Sequence, residues 1–215
     1  MFIGHYSAAF VAATHPKAPK LGTLFIAAQL VDIGFFSLLP LGIEHMRVAP
    51  GISTMNPMDL YDMPWTHSLV GALAWGAGFA ILLGLSTRSG VTALIGGAVV
   101  VSHWILDLLV HIPDLTIAGA PPKLGLGLWN YPAIEMPLEI GLLLVGAFLF
   151  ARTTRPTRHP WALPVLLAAL FLLQAVNWFG APPAKVDSSV WGLALFAYLL
   201  AAGLAWWVAR NRVPR

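Results

Sequence analysis

The most informative stretch of this sequence is "VSHWILDLLVH", residues 101–111, which is apolar enough to cross a bilayer and yet carries three ionisable side chains. His103, Asp107 and His111 are four residues apart. Residues at this spacing drift only about 40° per step around an α-helix, so the three form one stripe, with neighbours about 6 Å apart along the axis. Ionisable groups inside a membrane are costly and normally face partners in the bundle interior. The stretch therefore predicts a membrane-spanning helix whose polar stripe meets other polar groups.

The composition of the whole chain is typical of a membrane protein. Of its 215 residues, 58% are hydrophobic and 10% are charged, and its mean hydropathy is +0.78. Soluble domains carry about 25% charged residues. The chain has no cysteine, which excludes disulfides, thiolate metal ligands and cysteine nucleophiles.

Six apolar segments each approach the roughly 20 residues that a helix needs to span the hydrocarbon. A shorter apolar stretch, about 2–14, lacks the basic start and the cleavage site of a signal peptide. We interpret it as a short N-terminal membrane helix. The predicted fold is an all-α polytopic membrane helix bundle in one domain, 1–215, with 1–151 as the metal-site core and 152–215 as a two-helix scaffold. The predicted spans are 21–43, 66–85, 90–111, 133–151, 160–180 and 188–209.

Basic residues are distributed unevenly between the two sets of loops. Nine of the twelve Lys and Arg residues fall in one set, which contains no acid. By the positive-inside rule this set is cytoplasmic. We therefore predict a multi-pass protein of the bacterial inner membrane with a cytoplasmic C-terminus. Because the basic charge reports topology, we do not expect nucleic-acid binding despite the net charge of +3. The nine residues are Lys17, Lys20, Arg88, Arg152, Arg155, Arg158, Arg210, Arg212 and Arg215.

Most other polar groups of the spans share one depth with the stripe. With this orientation, five of the seven histidines and every intramembrane acid fall between the bilayer middle and the outer surface. A carboxylate at the position of Asp32, near the middle of its span, costs roughly 2.5–3.5 kcal/mol on insertion scales. A shared depth indicates one site that opens to the outer side. Outside the stripe, its members are His5, Asp32, Glu44, His45, His67, Glu135 and Glu139.

Imidazoles and carboxylates without thiolates suit divalent transition metals such as Zn²⁺, Mn²⁺ or Fe²⁺. For any one His–Asp pair taken alone, a hydrogen bond that stabilises helix packing is the competing interpretation. Taken together, the groups exceed the three protein ligands of a one-metal catalytic site. We therefore expect one or two ions, zinc or manganese. The predicted metal ligands are His5, Asp32, His45, His67, His103 and Asp107.

Three residues are predicted to take part in catalysis. Glu139 or Glu44 is expected to act as the general base or as a further metal ligand, with Glu139 favoured as the base because it lies deeper in its span. His111 is expected to contact the substrate or to orient a ligand. Glu135, one turn nearer the surface than Glu139, is expected to meet substrate or water, and Asp62 is a further candidate to complete the site.

At these residues the sequence resembles the YdjM-type family, which is described as LexA-regulated, membrane-bound, metal-dependent hydrolases. The matching pieces are "GHY" at 4–6, "LVDIG" at 30–34, "WTHSL" at 65–69 and "SHWILD" at 102–107, within the first half of the chain. The order of these His and Asp residues is also similar, by spacing, to the ligand order of zinc-dependent phospholipase C. The resemblance implies a metal-dependent hydrolase.

The chain departs from the family pattern at two places. The family's Asp-x-Asp-His is replaced here by Asp32 followed by Ile33 and Gly34, with an acid–His pair only at 44–45. The family's His-Arg-Gly-x-Thr-His-Ser reads "DMPWTHS", so Asp62 and Met63 stand at its His-Arg. The identity of some ligands is therefore open.

Three functions are compatible with the pattern. The first is a hydrolase that acts on a phosphoester or another ester, a lipid among the candidates, in the outer-facing half of the membrane. The second is an ion or solute transporter that uses the same groups as a pathway, although the cytoplasmic half shows no ionisable relay. The third is haem binding through paired histidines, in which Asp32 and Asp107 would be out of place.

Overall fold

The fold is a bundle of long apolar helices. The computed structural model describes all 215 residues. Five helices are long and apolar enough to cross a membrane, and a bent pair of shorter helices makes a sixth span if it is counted as one. The prediction of an all-α polytopic bundle is confirmed. The helices are α1 (Tyr6–Ala12), α2 (Leu21–Ala28), α3 (Leu30–Leu38), α4 (Leu69–Thr87), α5 (Gly90–Val110), α6 (Pro132–Thr153), α7 (Ala162–Phe179) and α8 (Ser188–Arg210).

The surface of the bundle is apolar, as a bilayer requires. On α4, for example, Ile81, Leu82 and Leu85 are 62%, 67% and 75% exposed. Leucine and isoleucine side chains at such exposure, on helices of this length, face lipid rather than water. The chain is a multi-pass membrane protein.

Helices α4 and α5 pack closely against each other, because small residues let their backbones approach. A Cβ atom on Gly76 would lie 3.0 Å from the carbonyl oxygen of Gly97, and a Cβ on Gly97 would lie 2.9 Å from that of Gly76. Glycine contacts of this kind are a common way to pack membrane helices. Ser68 and Ser89 cap the starts of the two helices by accepting hydrogen bonds from backbone N–H groups. This pair holds the His103 stripe in place.

The predicted span 21–43 is not one helix. It breaks at Gln29, and α2 and α3 meet there at 52°. The Gln29 side chain is fully buried and donates a hydrogen bond to the carbonyl oxygen of Phe2 (3.0 Å), so the break is tied to the N-terminal segment. Because the helix is interrupted here, the carbonyl of Ala28 is free to accept from a side chain on another helix.

Two small antiparallel sheets of two strands each were not predicted. Strands β1 (His45–Val48) and β2 (Met58–Asp62) pair in the long loop before α4. Strands β3 (Thr154–Pro156) and β4 (Arg212–Pro214) pair at the other end of the bundle. They are short and lie outside the spans, where apolar periodicity carries no signal.

The segment that follows α5 folds back against the end of that helix. The N–H of Leu126 donates to the carbonyl of Leu108 (2.8 Å), and the N–H of Gly127 donates to that of His111 (2.7 Å). Gly125 is required here, because a Cβ atom at this position would collide with the carbonyl oxygen of His111. In "KLGLGLWN", residues 123–130, Gly125 therefore serves close backbone approach, whereas Gly127 adopts a positive φ of 75°.

Helix α8 begins with a capped turn. Asp187 accepts hydrogen bonds from the Ser189 hydroxyl (2.6 Å) and backbone N–H (2.9 Å). These bonds hold the pKa of Asp187 below its usual value.

Candidate metal centre

A buried cluster of imidazoles and carboxylates lies inside the bundle, between helix α5 and the N-terminal segment. It joins four parts of the chain: the 3₁₀ turn Ile3–His5, helix α3, residues Thr66 and His67 before α4, and the polar stripe of α5. All of its histidines are at most 3% exposed. Of the predicted site residues, the cluster brings together His5, Asp32, His67, His103, Asp107 and His111.

One side of the cluster is built around Oδ2 of Asp107. His103 Nε2 lies 3.0 Å from this oxygen, and His67 Nε2 lies 3.7 Å from it. The same two nitrogens lie 3.5 and 3.3 Å from Oδ1 of Asp32. Two imidazoles and two carboxylates thus face one point.

The other side is built around Oδ1 of Asp107. His5 Nε2 lies 3.0 Å and His111 Nε2 lies 3.5 Å from this oxygen. The α-amino group of Met1 also lies 3.0 Å from it. Asp107 therefore stands between two sets of nitrogens, with one carboxylate oxygen turned to each set.

The spacing of these atoms matches the coordination shell of a small divalent ion. Tetrahedral Zn²⁺ with bonds of 2.0–2.1 Å places its ligand atoms about 3.3 Å apart. The nitrogen–oxygen distances around Asp107 Oδ2 and Asp32 Oδ1 span 3.0–3.7 Å. Asp32, His67 and His103 form one group whose ligand atoms lie within 4.8 Å of one another, and His5, His103 and Asp107 form a second.

Hydrogen bonds at Nδ1 identify which ring nitrogen is free in His103 and His111. Nδ1 of His103 lies 2.8 Å from the carbonyl oxygen of Ala28, the group that the break in α2–α3 leaves available. Nδ1 of His111 lies 2.8 Å from a carboxylate oxygen of Asp114. Both oxygens can only accept, so each Nδ1 carries a proton, and in the neutral ring each Nε2 presents a lone pair to Asp107.

His67 is oriented in the same way, through two successive hydrogen bonds. The Thr66 hydroxyl donates to Glu44 Oε2 (2.7 Å), so its oxygen is left to accept from His67 Nδ1 at 2.8 Å. The Nε2 atom of His67 then faces Asp32 and Asp107. Histidine ligands of metals are commonly fixed by this kind of hydrogen bond at the other ring nitrogen.

The lone pairs need a positive charge between them. His103 Nε2 and His5 Nε2 each lie 3.0 Å from an oxygen of Asp107, yet neither makes a hydrogen bond. A nitrogen lone pair and a carboxylate oxygen at this distance repel unless a cation lies between them. The α-amino group of Met1 already donates to Asp107 Oδ1, and a proton would serve one nitrogen–oxygen pair, whereas a divalent ion would serve the whole convergent set. The donor set and its directions therefore fit a metal ion.

A cavity of about 750 Å³ opens beside the cluster. Its wall includes four acids, but no lysine or arginine. Buried carboxylates are strongly destabilising without a counter-charge. The acids on the wall are Asp32, Asp107, Glu135 and Glu139.

The predicted general base Glu139 is held on three sides. Its Oε1 atom accepts from the N–H groups of Phe2 (2.5 Å) and Gly4 (3.0 Å). Its Oε2 atom accepts from the side-chain amide of Gln174 (3.0 Å). Glu139 thus anchors the turn that carries His5. Glu135 is equally buried, but its Oε2 atom has no hydrogen-bond partner.

The structure places the other two predicted residues away from the cavity. Glu44 is fully buried, and it accepts from the N–H groups of Trp65 and Thr66 at 2.8 Å and from the Thr66 hydroxyl. His45 lies on β1, where its Nδ1 pairs with Asp62 at 2.8 Å and its side chain is 43% exposed. Its role as a ligand of the buried cluster is not supported by this position, because strand β1 directs it to the hairpin.

Several contributing residues lay outside the sequence prediction. Asp114 could have been found, because "HIPD" places it three residues after His111, and Thr66 directly precedes His67. The hydroxyl of Tyr198, which donates to Asp32 Oδ2 at 3.0 Å, comes from α8 and has no such signal. Helices α7 and α8, predicted as scaffold, also supply cavity wall.

Comparison with protein-family models, curated proteins and solved structures found no match. The resemblance to the YdjM-type family therefore remains an expectation from the motifs.

Removing the carboxylate that orients His111 should weaken metal binding. We expect Asp114→Ala to lower the affinity for Zn²⁺ by about 10–100-fold, the usual cost of losing such a partner. Competition with a chromophoric chelator on detergent-purified protein would measure it.

The matched control is Asp62→Ala, because Asp62 bonds His45 Nδ1 at the same 2.8 Å on the exposed hairpin. It should leave the affinity unchanged. An equal loss in both variants would instead place His45 among the ligands.

Proposed function

We propose that the protein is a membrane-embedded, metal-dependent hydrolase that cleaves a phosphoester or another ester. The observation that carries the proposal is the convergence of imidazole Nε2 atoms and carboxylate oxygens beside a cavity, where Nε2 of His5 and of His103 makes no hydrogen bond. Three of the four imidazoles are fixed by hydrogen bonds at Nδ1. A preorganised donor set of this kind is what metal-assisted hydrolysis requires.

One or two ions of Zn²⁺ or Mn²⁺ would be held by the cluster, with Asp107 between the two metal positions. The ligands would be His5, Asp32, His67, His103, Asp107 and His111. Bound there, the metal would polarise the scissile ester and make water a better nucleophile at neutral pH. The imidazoles and the bound ion would compensate the negative charge of Asp32 and Asp107. Tyr198 holds Asp32 by its hydroxyl.

Glu135 is the group that we propose to accept the proton from the attacking water. It lines the same cavity as Asp107, it is buried, and one of its carboxylate oxygens is free. A general base needs a carboxylate with an unoccupied oxygen at the reacting centre. Glu139, whose oxygens accept three hydrogen bonds, would position His5 instead.

Haem binding is the least supported alternative. A bis-histidine haem needs the porphyrin plane between two imidazoles, but the rings of His5 and His103 stack directly, 3.7 Å apart and 5° from parallel.

We also propose that the cluster faces the outer side of a bacterial inner membrane. Nine of the twelve basic residues lie in the loops or last helical turns at the end of the bundle opposite the cluster. Basic loops stay in the cytoplasm. Reporter fusions at Asp59, Thr116 and Asp187 should read extracytoplasmic, and a fusion at Thr154 should read cytoplasmic. A Thr154 fusion that reads extracytoplasmic would reverse the orientation.

The test of the function combines metal analysis with an activity screen. Protein purified in detergent is expected to contain about one or two equivalents of a transition metal. With added Zn²⁺ or Mn²⁺ it should hydrolyse members of a panel of phosphoesters and carboxylic esters, and a chelator should abolish the activity. Metal-loaded protein that cleaves nothing, but moves an ion or solute across liposomes, would replace the hydrolase by the transporter.

A further inference from the structure

The cavity beside the cluster has two different ends. One end is formed by the polar cluster and by Trp129. The rest of the lining comes from the segment 50–60 and from the halves of α7 and α8 nearest the cluster, where most of the lining residues are apolar. The apolar wall is formed by Phe35, Phe36, Leu173, Val176, Leu193 and Ala197.

The apolar part of the cavity wall includes two residues that face lipid. Val176 on α7 and Leu193 on α8 line the cavity and are 52% and 57% exposed. Both lie within helices long and apolar enough to span the membrane. An exposed apolar residue within a span faces lipid, so a mouth between these two side chains would connect the cavity to the hydrocarbon.

The charges of the wall restrict the polar part of a ligand. No lysine or arginine lines the cavity, and four acids do. A head group with several negative charges would find no basic side chain to pair with on this wall. Apart from the α-amino group of Met1, which is bonded to Asp107, the wall therefore offers no permanent cation to a head group with several negative charges.

We propose that the substrate is a membrane lipid with a long acyl chain, which enters through the Val176–Leu193 mouth. The inference rests on the proposed function and names its substrate class. The chain lies between α7 and α8, and the ester group, an acyl ester or a phosphodiester, reaches the His/Asp cluster. Water adds to the carbon or phosphorus atom of the ester, the bond to the alkoxy oxygen breaks, and that oxygen leaves as an alcohol after taking up one proton. A volume of about 750 Å³ is within the range of small-molecule sites.

The mouth can be blocked and compared with a matched position. Leu193→Trp places a bulky ring at the mouth. Leu199→Trp is the control, because Leu199 lies on the same helix at 58% exposure but does not line the cavity. Both side chains face lipid, so both variants should fold equally well.

Binding is measured first, without reference to catalysis. The probe is a phosphatidylcholine with a diazirine in its acyl chain, in vesicles of phosphatidylethanolamine and phosphatidylglycerol. After irradiation, peptide mapping should find label on the cavity-lining residues of α7 and α8 in the wild type and in Leu199→Trp. Leu193→Trp should lose that label.

Cleavage is measured second, with long- and short-chain versions of the same ester, such as p-nitrophenyl palmitate and acetate, and with the matching phosphodiesters. Leu193→Trp should slow cleavage of the long-chain compound by about tenfold or more and leave the short-chain compound unchanged. Leu199→Trp should alter neither.

The outcomes separate the two proposals. Label in the cavity without hydrolysis of any compound would keep the lipid site and refute the hydrolase. Hydrolysis with no label in the cavity, and with both variants equal on long chains, would keep the hydrolase and overturn the lipid substrate. Absence of both label and hydrolysis would overturn both.

Discussion

Asp107→Ala is expected to remove most of the bound metal and to lower the stability of the protein. Asp107 has one oxygen within 3.0 Å of His103 Nε2 and the other within 3.0 Å of His5 Nε2. Its loss takes a ligand from both positions at once, and it leaves the carboxylate of Asp32 without a nearby cation. Breaking a buried charge pair of this kind costs about 3–5 kcal/mol. Elemental analysis and thermal unfolding in detergent would measure the two effects, and His103→Ala should act in the same direction.

The control for this prediction is His15→Ala. His15 is exposed and lies in the loop before α2, so its replacement should change neither the metal content nor the unfolding temperature. Wild-type metal content in both Asp107→Ala and His103→Ala would refute the metal centre.

The second large effect concerns the proton acceptor. Glu135→Gln is expected to keep the fold and most of the metal, because Gln nearly matches Glu in size and can still accept a hydrogen bond. It cannot take up a proton, so hydrolysis should fall by about 10²–10⁴-fold, the usual contribution of one general acid–base group. The readout is kcat on the best substrate of the panel, at metal saturation.

Glu139→Gln is the matched comparison. A Gln at this position can still accept from the N–H groups of Phe2 and Gly4. Its new N–H₂ group can donate to Gln174 if that amide flips, since Gln174 Oε1 has no partner in the present arrangement. We expect its hydrolysis to stay within about tenfold of wild type. The reverse result, a large loss in Glu139→Gln and a small one in Glu135→Gln, would return the base to Glu139, as the sequence predicts.

The spans and the polar stripe could be predicted from the sequence because each depends on local pattern alone. A run of about 20 apolar residues must become a helix in lipid, where every backbone polar group needs an internal partner. The four-residue spacing of 103, 107 and 111 then places these side chains on one face. Asp32, His5 and His67 could be added because they share a depth with the stripe.

A common depth does not fix the direction of a side chain. Only the tertiary structure decided which of the residues at this depth point into the site. Glu44 and His45 share the depth of the site, yet one anchors the Thr66–His67 pair and the other joins the β1–β2 hairpin. Asp114 has a signal in its spacing from His111, but only the folded loop brings it to that ring.

The break at Gln29 and the cavity between α7 and α8 have no local signal at all. Gln29 turns inward because the carbonyl of Phe2, 27 residues away in sequence, accepts its side-chain amide. The resulting bend frees the Ala28 carbonyl for His103, and thereby sets which ring nitrogen faces Asp107. Between Trp161 and Arg210 the only ionisable residues are Lys185 and Asp187, in the loop that joins α7 and α8, and Tyr198 on α8. The sequence therefore predicts that the two helices are scaffold. They become part of the site because packing places their apolar faces beside Asp32.

Sequence alone determined which segments enter the membrane, since that depends on each segment's own contact with lipid. The arrangement of the polar groups inside was determined by contacts between segments distant in the chain.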